Sequence, residues 1–158
     1  MDADDRRIVL RRNPVDRVSD AAATLGFVVM LLHNMTESRS NFDIRRHVRD
    51  LIEPAIAHRR IQIYFNEAGA PVGYLAWAHL STATSERVAL KRDTCLHLSE
   101  WDEGEHLWIV AACSPYRLLR EIWCDAREQL FDGARNVNWI SPHGHYRPHV
   151  KSVNTSSG

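Results

Sequence analysis

The sequence predicts one α+β domain in which a single mixed β-sheet is flanked by helices. Two observations predict this fold. Apolar residues recur at helical spacing over the first part of the chain and then, from about residue 61, in the short runs typical of strands. An amphipathic helix separates the last two of these runs, an order that fits a mixed sheet. The 158 residues suit one domain, with residues 1–15 as an N-terminal arm and about 150–158 as a disordered tail.

The composition excludes several classes of protein. The 20 basic residues balance the 20 acidic ones, and no basic recognition helix or array of stacking aromatic residues indicates nucleic acid binding. Apolar runs such as Phe27 to Leu32 are far short of the ~20 residues that a membrane span needs. The three cysteines lack paired spacing, which favours a reducing, cytoplasmic environment over a disulfide framework. The glycines are isolated, so no phosphate-binding loop for a nucleotide cofactor is expected.

The first predicted helix covers about residues 21–33 and contains the apolar stretch LGFVVMLLH. Ser19 or Asp20 can cap its N-terminus, while Gly26 either weakens the helix or marks close packing. A polar, turn-like stretch follows at 34–42.

A second helix is predicted to begin at Asn41 or Asp43 and to carry one apolar face. The residues of that face are Ile44, Val48, Leu51, Ile52 and Ile56. Pro54 lies within this pattern, and because proline lacks the backbone N–H of a helical hydrogen bond, it should kink the helix or end it early.

The strands follow this second helix. The runs IQIYF (61–65) and VGYLAWAHL (72–80) flank a turn that contains Gly69, which predicts a β-hairpin. Residues 83–92 can form a short helix. The run LWIVAACS (107–114) is nearly all apolar, which indicates a central strand buried on both faces.

The clearest helix covers residues 116–131, and a last strand follows it at 134–140. The apolar stripe of this helix consists of Leu119, Ile122, Trp123, Ala126, Leu130 and Phe131. The predicted order of elements fits one mixed sheet. This order is two helices, a hairpin, a short helix, a strand, a helix and a strand.

Three stretches resemble the RTX toxin-activating lysine acyltransferases. LIEPAIAHRRIQIYFNEAGAPVGYLAWAHLS (51–81) is similar to that family's Pro-Ala-Ile helix end, its hairpin with Pro-Val at the turn, and its strand ending Trp-Ala-x-Leu-Ser. EWDEGEHLWIV (100–110) resembles the family's Trp-x-Ser-Gly-Asp-x-x-Trp segment, and SPYR (114–117) stands where the family has Ala-Pro-Phe-Gly. The resemblance covers roughly 20–148, and together with the element order it implies an N-acetyltransferase-like (GNAT-type) fold.

The resemblance also implies a reaction and partners. The family moves a fatty acyl group from acyl carrier protein to the side-chain amine of a lysine in a protoxin, so a carrier-protein-linked donor and a protein or peptide amine are expected. A homodimer is implied as well, with no bound cofactor and no metal. A lysine amine is protonated at neutral pH (reference pKa ~10.4), so the family's implied histidine takes its proton and an aspartate orients that histidine.

Neither of these implied catalytic groups is present. Counting from Trp108, the aspartate position falls on Ala111. The histidine position, in the loop after the first helix, falls on Arg39, or on Ser38 with a shift of one residue. Arginine stays protonated and alanine has no polar group, so another base must act if the protein is an enzyme.

His33, at the end of the first helix, is the histidine nearest to the empty position and is the candidate catalytic base, unless it only interacts with the helix dipole. The candidate acids are Asp102, Glu103 and Glu105. The candidate substrate-binding residues are Ser38, Arg39, Ser40, Trp77, Ala111 and Cys113. Trp77 and Ala111 are expected to wall one cleft. Cys113 lies two residues after Ala111, on the same strand face, where a thiol can relay an acyl group.

Alternative sites and functions stay open. His143, His145 and His149 have a spacing that can hold zinc, although the resemblance implies no metal and none is expected. The leading hypothesis is an acyltransferase with altered catalytic residues. Its alternatives are a non-catalytic homologue that binds a peptide or carrier protein, and a different reaction in the same cleft within a biosynthetic pathway.

Overall fold

The fold is built on one six-stranded mixed sheet. The computed structural model describes residues 11–13, 18–36, 42–134, 136–141 and 149–154. The strands are β1 (Arg11–Asn13), β2 (Ile61–Phe65), β3 (Pro71–Leu80), β4 (His106–Cys113), β5 (Asn136–Ser141) and β6 (His149–Asn154). The helices are α1 (Val18–Thr36), α2 (Ile44–His47), α3 (Glu53–Ala57), α4 (Thr82–Lys91) and α5 (Leu119–Gln129). A π-helical turn (Val48–Ile52) joins α2 to α3, and a 3-10 turn (Leu98–Trp101) precedes β4.

The strands lie in the order β1-β2-β3-β4-β5-β6. Neighbouring strands are antiparallel except for β4 and β5, which are parallel. α5 connects these two strands, because a parallel pair needs a crossover connection. β4 therefore lies inside the sheet, as its apolar sequence predicted, and the α+β class with one mixed sheet is confirmed.

α1 is longer than the 21–33 predicted from its apolar stretch. Its buried side chains recur every three or four residues, so one face packs on the sheet. They are Thr24, Val28, Leu31 and Leu32. A Cβ added at Gly26 would meet no atom within 4 Å, so close packing is not the reason for this glycine. None of the helices in the described part of the chain is long and apolar enough to cross a membrane.

Asp43 caps α2, as one of the two predicted caps. Its carboxylate accepts a hydrogen bond from the backbone N of Arg46 at 3.0 Å. The helical path continues past the break predicted at Pro54, which lies in the first turn of α3. Proline is tolerated there because the N–H groups of a first turn have no helical partner, and the preceding π-helical turn absorbs the change in hydrogen-bond register. The predicted apolar face packs on the core.

β2 and β3 form the predicted hairpin. Gly69 adopts a left-handed φ of 79° in its turn, and the Asn66 side chain accepts a hydrogen bond from the backbone N of Ala70 at 2.9 Å. The short helix predicted at 83–92 is α4, which the Ser81 side chain caps.

The structure differs from the sequence prediction at both edges of the sheet and at α5. β6 lies where a disordered tail was predicted and pairs antiparallel with β5, while β1, in the predicted arm, pairs with β2. Both edge strands gain backbone hydrogen bonds from a neighbour, a source of order that no apolar pattern reveals. α5 begins later than predicted, because Arg117 has a left-handed φ of 60° that a helix does not contain.

The sheet separates two apolar cores. The first core lies on the side of α1 to α4, and the second core lies on the side of α5. Large members of the first core are Val28, Leu32, Ile52, Tyr74, Trp108 and Val110. Large members of the second core are Val72, Trp77, Leu107, Ile122 and Phe131. Each strand residue belongs to one core or the other according to the face on which its side chain lies.

Candidate functional site

β4 carries a bulge next to the position where the family resemblance implies an aspartate. Ala111 pairs with Ala76 of β3. The next pair joins Ile109 to Trp77, which leaves Val110 as an extra residue on β4. As a result Val110 and Ala111 both belong to the first core, although adjacent strand residues normally point to opposite faces.

The sheet opens beside this bulge. β4 and β5 pair over residues 107–109 and 137–139. Beyond Ile109 the described pairs join β4 to β3, whereas β5 continues along β6 as far as Ser141. A gap between the carboxyl ends of two parallel strands suits a ligand, because ligands of open sheets bind at the carboxyl ends of strands.

His47 and Tyr74 form a hydrogen-bonded pair on the first-core side of the sheet. The His47 Nε2 lies 2.8 Å from the Tyr74 hydroxyl oxygen. Tyr74 is 0% exposed and lies opposite Cys113 across β3 and β4. Burial lowers the pKa of His47 below its ordinary 6.5, and burial raises the pKa of Tyr74 well above its ordinary value. At neutral pH the pair is therefore a neutral imidazole and a neutral phenol.

A pocket of about 260 Å³ lies beside His47. Its lining residues are Phe42, Asp43, Arg46, His47, Asp50, Leu51, Asp93, Thr94 and Cys95. The Thr94 hydroxyl donates a hydrogen bond to the carbonyl of Val110 at 3.5 Å, which attaches the pocket wall to the bulge of β4. The pocket, the His47–Tyr74 pair and the end of β4 thus adjoin one another and form the candidate site.

His47 is the residue that sequence reasoning missed. It lies three residues after Ile44 and four before Leu51, and so falls on the apolar face of the second predicted helix. A histidine that faces a core needs a polar partner there. The sequence signal for His47 was a histidine on the apolar face of a helix. That signal does not identify the side chain with which the histidine forms a hydrogen bond.

α1 ends against the end of β4, so the loop implied by the resemblance starts close to the bulge. The Met35 Sδ lies 2.9 Å from the Cys113 Sγ, and the Asn34 amide nitrogen lies 3.4 Å from the Tyr116 hydroxyl. His33 is exposed and lies on a different side of α1 from Met35. The two residues are two positions apart, which in a helix is a rotation of more than half a turn about the axis. Its role as a catalytic base stays a prediction.

Ala111 and Cys113 lie on one face of β4, as predicted. Cys113 is 2% exposed, and its thiol contacts Met35, a position that does not suit a nucleophile that has to reach a thioester. The prediction that Trp77 and Ala111 wall one cleft is wrong. Trp77 lies in the second core, on the opposite face of the sheet, with its ring edge-on to Phe131 at 5.5 Å between centroids.

The acidic turn before β4 lies at the wrong end of the strand to replace the implied aspartate. Asp102 forms an ion pair with Arg60 at 2.7 Å, and Glu103 and Glu105 are exposed. From Glu105 to Ala111 an extended strand covers roughly 20 Å. The turn acids therefore do not meet the bulge.

Several predicted site residues lie outside the described residues. They are Ser38, Arg39, Ser40, His143 and His145. His149 belongs to β6, where its backbone alone is described. Within the side chains that the structure describes, no group of three histidine, cysteine, aspartate or glutamate residues is placed to hold a metal ion.

Residues 17–156 match the model of the RTX toxin acyltransferase family. The chain belongs to this family. Two curated relatives from Actinobacillus pleuropneumoniae are an RTX-III toxin-activating lysine-acyltransferase, 26% identical over 102 residues, and an RTX-II toxin-activating lysine-acyltransferase, 28% identical over 92 residues. The alignments cover 65% and 58% of this chain and 57% and 55% of the relatives, so the chain spans little more than half of their length.

A solved structure supports the fold. An acetyltransferase of the GNAT family from Listeria monocytogenes superposes with a TM-score of 0.54 at 8% identity, over 93% of this chain and 94% of that one. At such low identity the likeness concerns the fold alone, and it confirms the predicted N-acetyltransferase-like architecture. Within the family, this member has Ala111 on the strand where the resemblance implies an aspartate.

Proposed function

We propose that this family member transfers an acyl group from an acyl-carrier-protein thioester to a primary amine of a protein or peptide. Family membership and the acetyltransferase-like fold support acyl transfer as the class of reaction. The observation that carries the proposal is the opening of the sheet beside residues 110–113 of β4. No resident cofactor is needed, because the carrier protein itself brings the activated acyl group.

The opening suits an extended thioester arm. β5 pairs with residues 107–109 of β4, and among the described pairs it does not continue along the backbone N–H and C=O groups of Ala111 and Ala112. An arm with amide groups, such as the phosphopantetheine of a carrier protein, can bond to these groups as an added strand does. The thioester carbon would then lie near the bulge and the adjoining pocket.

Incubation with acyl-loaded carrier protein and a lysine-containing acceptor is expected to increase the acceptor mass by one acyl group. Fragment spectra identify the modified amine, a series of acyl chains identifies the preferred donor, and unloaded carrier protein is the control. Because one general base contributes a factor of ~10²–10⁴ to a rate, acylation should be far faster than in the mixture without this protein. Acylation no faster than in the mixture without this protein would contradict the proposal.

A non-catalytic role is the competing function, and the alanine at Ala111 favours it. In that case calorimetry detects binding of a peptide or carrier protein, and the mass of the bound partner stays unchanged. A different reaction in the same cleft would change the mass by a group other than an acyl chain. Calorimetry and mass spectrometry together therefore separate the three functions.

The proposal includes a homodimer in the cytoplasm. The side chains of Val29 and Met30 are 41% and 54% exposed on α1 and offer an apolar surface that a second copy can cover. The three free cysteines agree with a reducing compartment. Light scattering at micromolar concentration is expected to give twice the mass of the 18.2 kDa chain, and Met30→Glu is expected to shift it toward one chain. A single-chain mass for the unchanged protein would count against the dimer.

A further inference from the structure

We propose that the pocket beside His47 receives the acceptor amine as an alkylammonium ion, and that His47 accepts a proton from its nitrogen during transfer. The inference rests on the proposed acyl transfer and supplies the base that neither Arg39 nor Ala111 can provide. Tyr74 becomes the residue that positions the His47 ring.

The hydrogen bond to Tyr74 leaves one nitrogen of His47 for proton transfer. In the tautomer with a proton on Nε2, that nitrogen donates to the Tyr74 oxygen over 2.8 Å. Nδ1 then keeps its lone pair and can accept a proton from a bound amine. After the transfer Nε2 still donates to Tyr74, so the same bond holds the ring in both protonation states.

Burial favours the protonation states that this role needs. It lowers the pKa of His47, so the imidazole is neutral at pH 7 and free to accept a proton. Burial, together with the nearby Cys113, raises the pKa of Tyr74, so the phenol keeps its own proton. The pair therefore presents one acceptor of a proton, the His47 Nδ1.

The charges of the pocket lining favour a cation. The lining contains three carboxylates, those of Asp43, Asp50 and Asp93, and one guanidinium, that of Arg46. Asp50 pairs with Arg49 at 2.8 Å and with Arg46 at 3.4 Å, so the carboxylates of Asp43 and Asp93 are the ones that favour a bound cation. An ammonium group matches that potential and a neutral thioester does not, so the pocket suits the acceptor rather than the donor.

The size of the pocket matches a single side chain. Its volume of about 260 Å³ lies below the ~300–1,000 Å³ typical of sites for drug-sized ligands. A lysine side chain, four methylene groups that end in an ammonium, fits such a space, whereas a fatty acyl chain needs a longer channel. Phe42 and Leu51 supply apolar walls for the methylene groups.

In the balanced reaction, the nitrogen of the alkylammonium loses two protons. The alkylammonium first loses one proton to solvent, which exposes the lone pair. The nitrogen then attacks the thioester carbon and forms the C–N bond, and the His47 Nδ1 accepts the second proton. The C–S bond breaks and His47 returns that proton to the leaving thiolate, so the products are an amide, a thiol and one solvent proton.

Alkylation of Cys95 tests the pocket without relying on catalysis. Cys95 lines the pocket and is exposed, and Cys124 on α5 is an exposed reference thiol. We expect n-butylammonium to slow the reaction of Cys95 with iodoacetamide several-fold and to leave Cys124 unaffected. n-Butanol, an uncharged ligand of similar shape, should not protect, and Asp93→Asn should weaken the protection because it removes one carboxylate. If the amine leaves the reaction of Cys95 unchanged, the pocket assignment is overturned.

Substitution of His47 tests the base. With acyl-loaded carrier protein as donor, His47→Gln is expected to lower kcat at least ~10²-fold, with the KM for the acceptor nearly unchanged. Tyr74→Phe should lower kcat by a smaller factor, because the ring remains but loses its orientation, and Asp93→Asn should raise KM. His106→Gln, at the exposed start of β4, is the matched histidine control and should keep the wild-type rate.

The pH profile separates a base from a residue that only supports the fold. The acceptor amine and His47 must both lose a proton, so log(kcat/KM) should rise with slope two below the pKa of His47. Above that pKa the slope should be one until the amine titrates near its own pKa. His47→Gln should show slope one throughout.

The results of these assays decide the assignment part by part. Wild-type rates in His47→Gln would overturn it, and a loss confined to His33→Ala would give the role to His33 instead. A protein that moves no acyl group from any donor counts against the proposed function, and protection of Cys95 then decides separately whether the pocket binds an amine.

Acylation of a lysine peptide but not of n-butylamine would identify a protein-borne acceptor, and the reverse result would identify a free amine.

Discussion

Trp108→Ala is expected to lower the free energy of unfolding by about 3–5 kcal/mol. Trp108 lies inside β4, is 2% exposed and belongs to the first core. Its Nε1–H donates to the Ser85 hydroxyl on α4 at 2.8 Å, so the side chain joins an inner strand to a helix. Truncation leaves a cavity the size of an indole, and β4 cannot move to fill it because β3 and β5 hold it on both sides. Urea unfolding followed by far-ultraviolet circular dichroism measures the loss.

Ser85→Ala is the control for this prediction, because it removes the hydrogen bond and keeps the packing. It should cost roughly 1–3 kcal/mol, since the buried indole N–H loses its acceptor. The difference between the two variants then measures the packing of the ring. If Trp108→Ala costs no more than Ser85→Ala, the indole does not fill the first core.

Gly104→Ala is expected to lower the free energy of unfolding by about 1–3 kcal/mol, through overpacking. Gly104 lies in the turn before β4, against the end of β3. A Cβ at this position would meet the Leu80 carbonyl oxygen at 2.5 Å and the Ser81 Cα at 2.8 Å. Both are backbone atoms, so no rotamer change relieves the contact. The turn has to move away and would weaken the hydrogen bonds that Glu103 N and Gly104 N donate to the His79 carbonyl at 2.8 and 3.2 Å.

Gly26→Ala is the matched control, and its expected effect has the opposite sign. Gly26 is exposed within α1, and an added Cβ meets open space, so alanine should raise the free energy of unfolding by roughly 0.5–1 kcal/mol. The same urea titration measures both variants. Equal effects at the two glycines would contradict the close approach of the turn to β3.

Much of the fold could be predicted because its elements are encoded within short segments. The hairpin around Gly69 and the helix α5 each follow from apolar spacing over one segment. Prediction failed where order comes from a distant partner or an unusual backbone. β6 depends on pairing with β5, and the late start of α5 depends on the left-handed Arg117.

The candidate site could be predicted only in part. The strand that carries Ala111 was located correctly, because its neighbours in sequence resemble a family motif. His33 was selected for its nearness in sequence to the implied loop. His47 was not selected, because its partner Tyr74 lies 27 residues away on another element and no local pattern joins the two.

By itself the sequence determined the fold class, the hairpin, the inner strand and the absence of a carboxylate at Ala111. Only the tertiary structure decided which side chains meet. It placed Trp77 in the second core and brought His47 to Tyr74. The physical reason is that secondary structure depends on apolar spacing within one segment, whereas contacts between segments depend on strand register. A single extra residue in β4, Val110, changes which face its neighbours share, and the spacing of apolar residues does not reveal such a bulge.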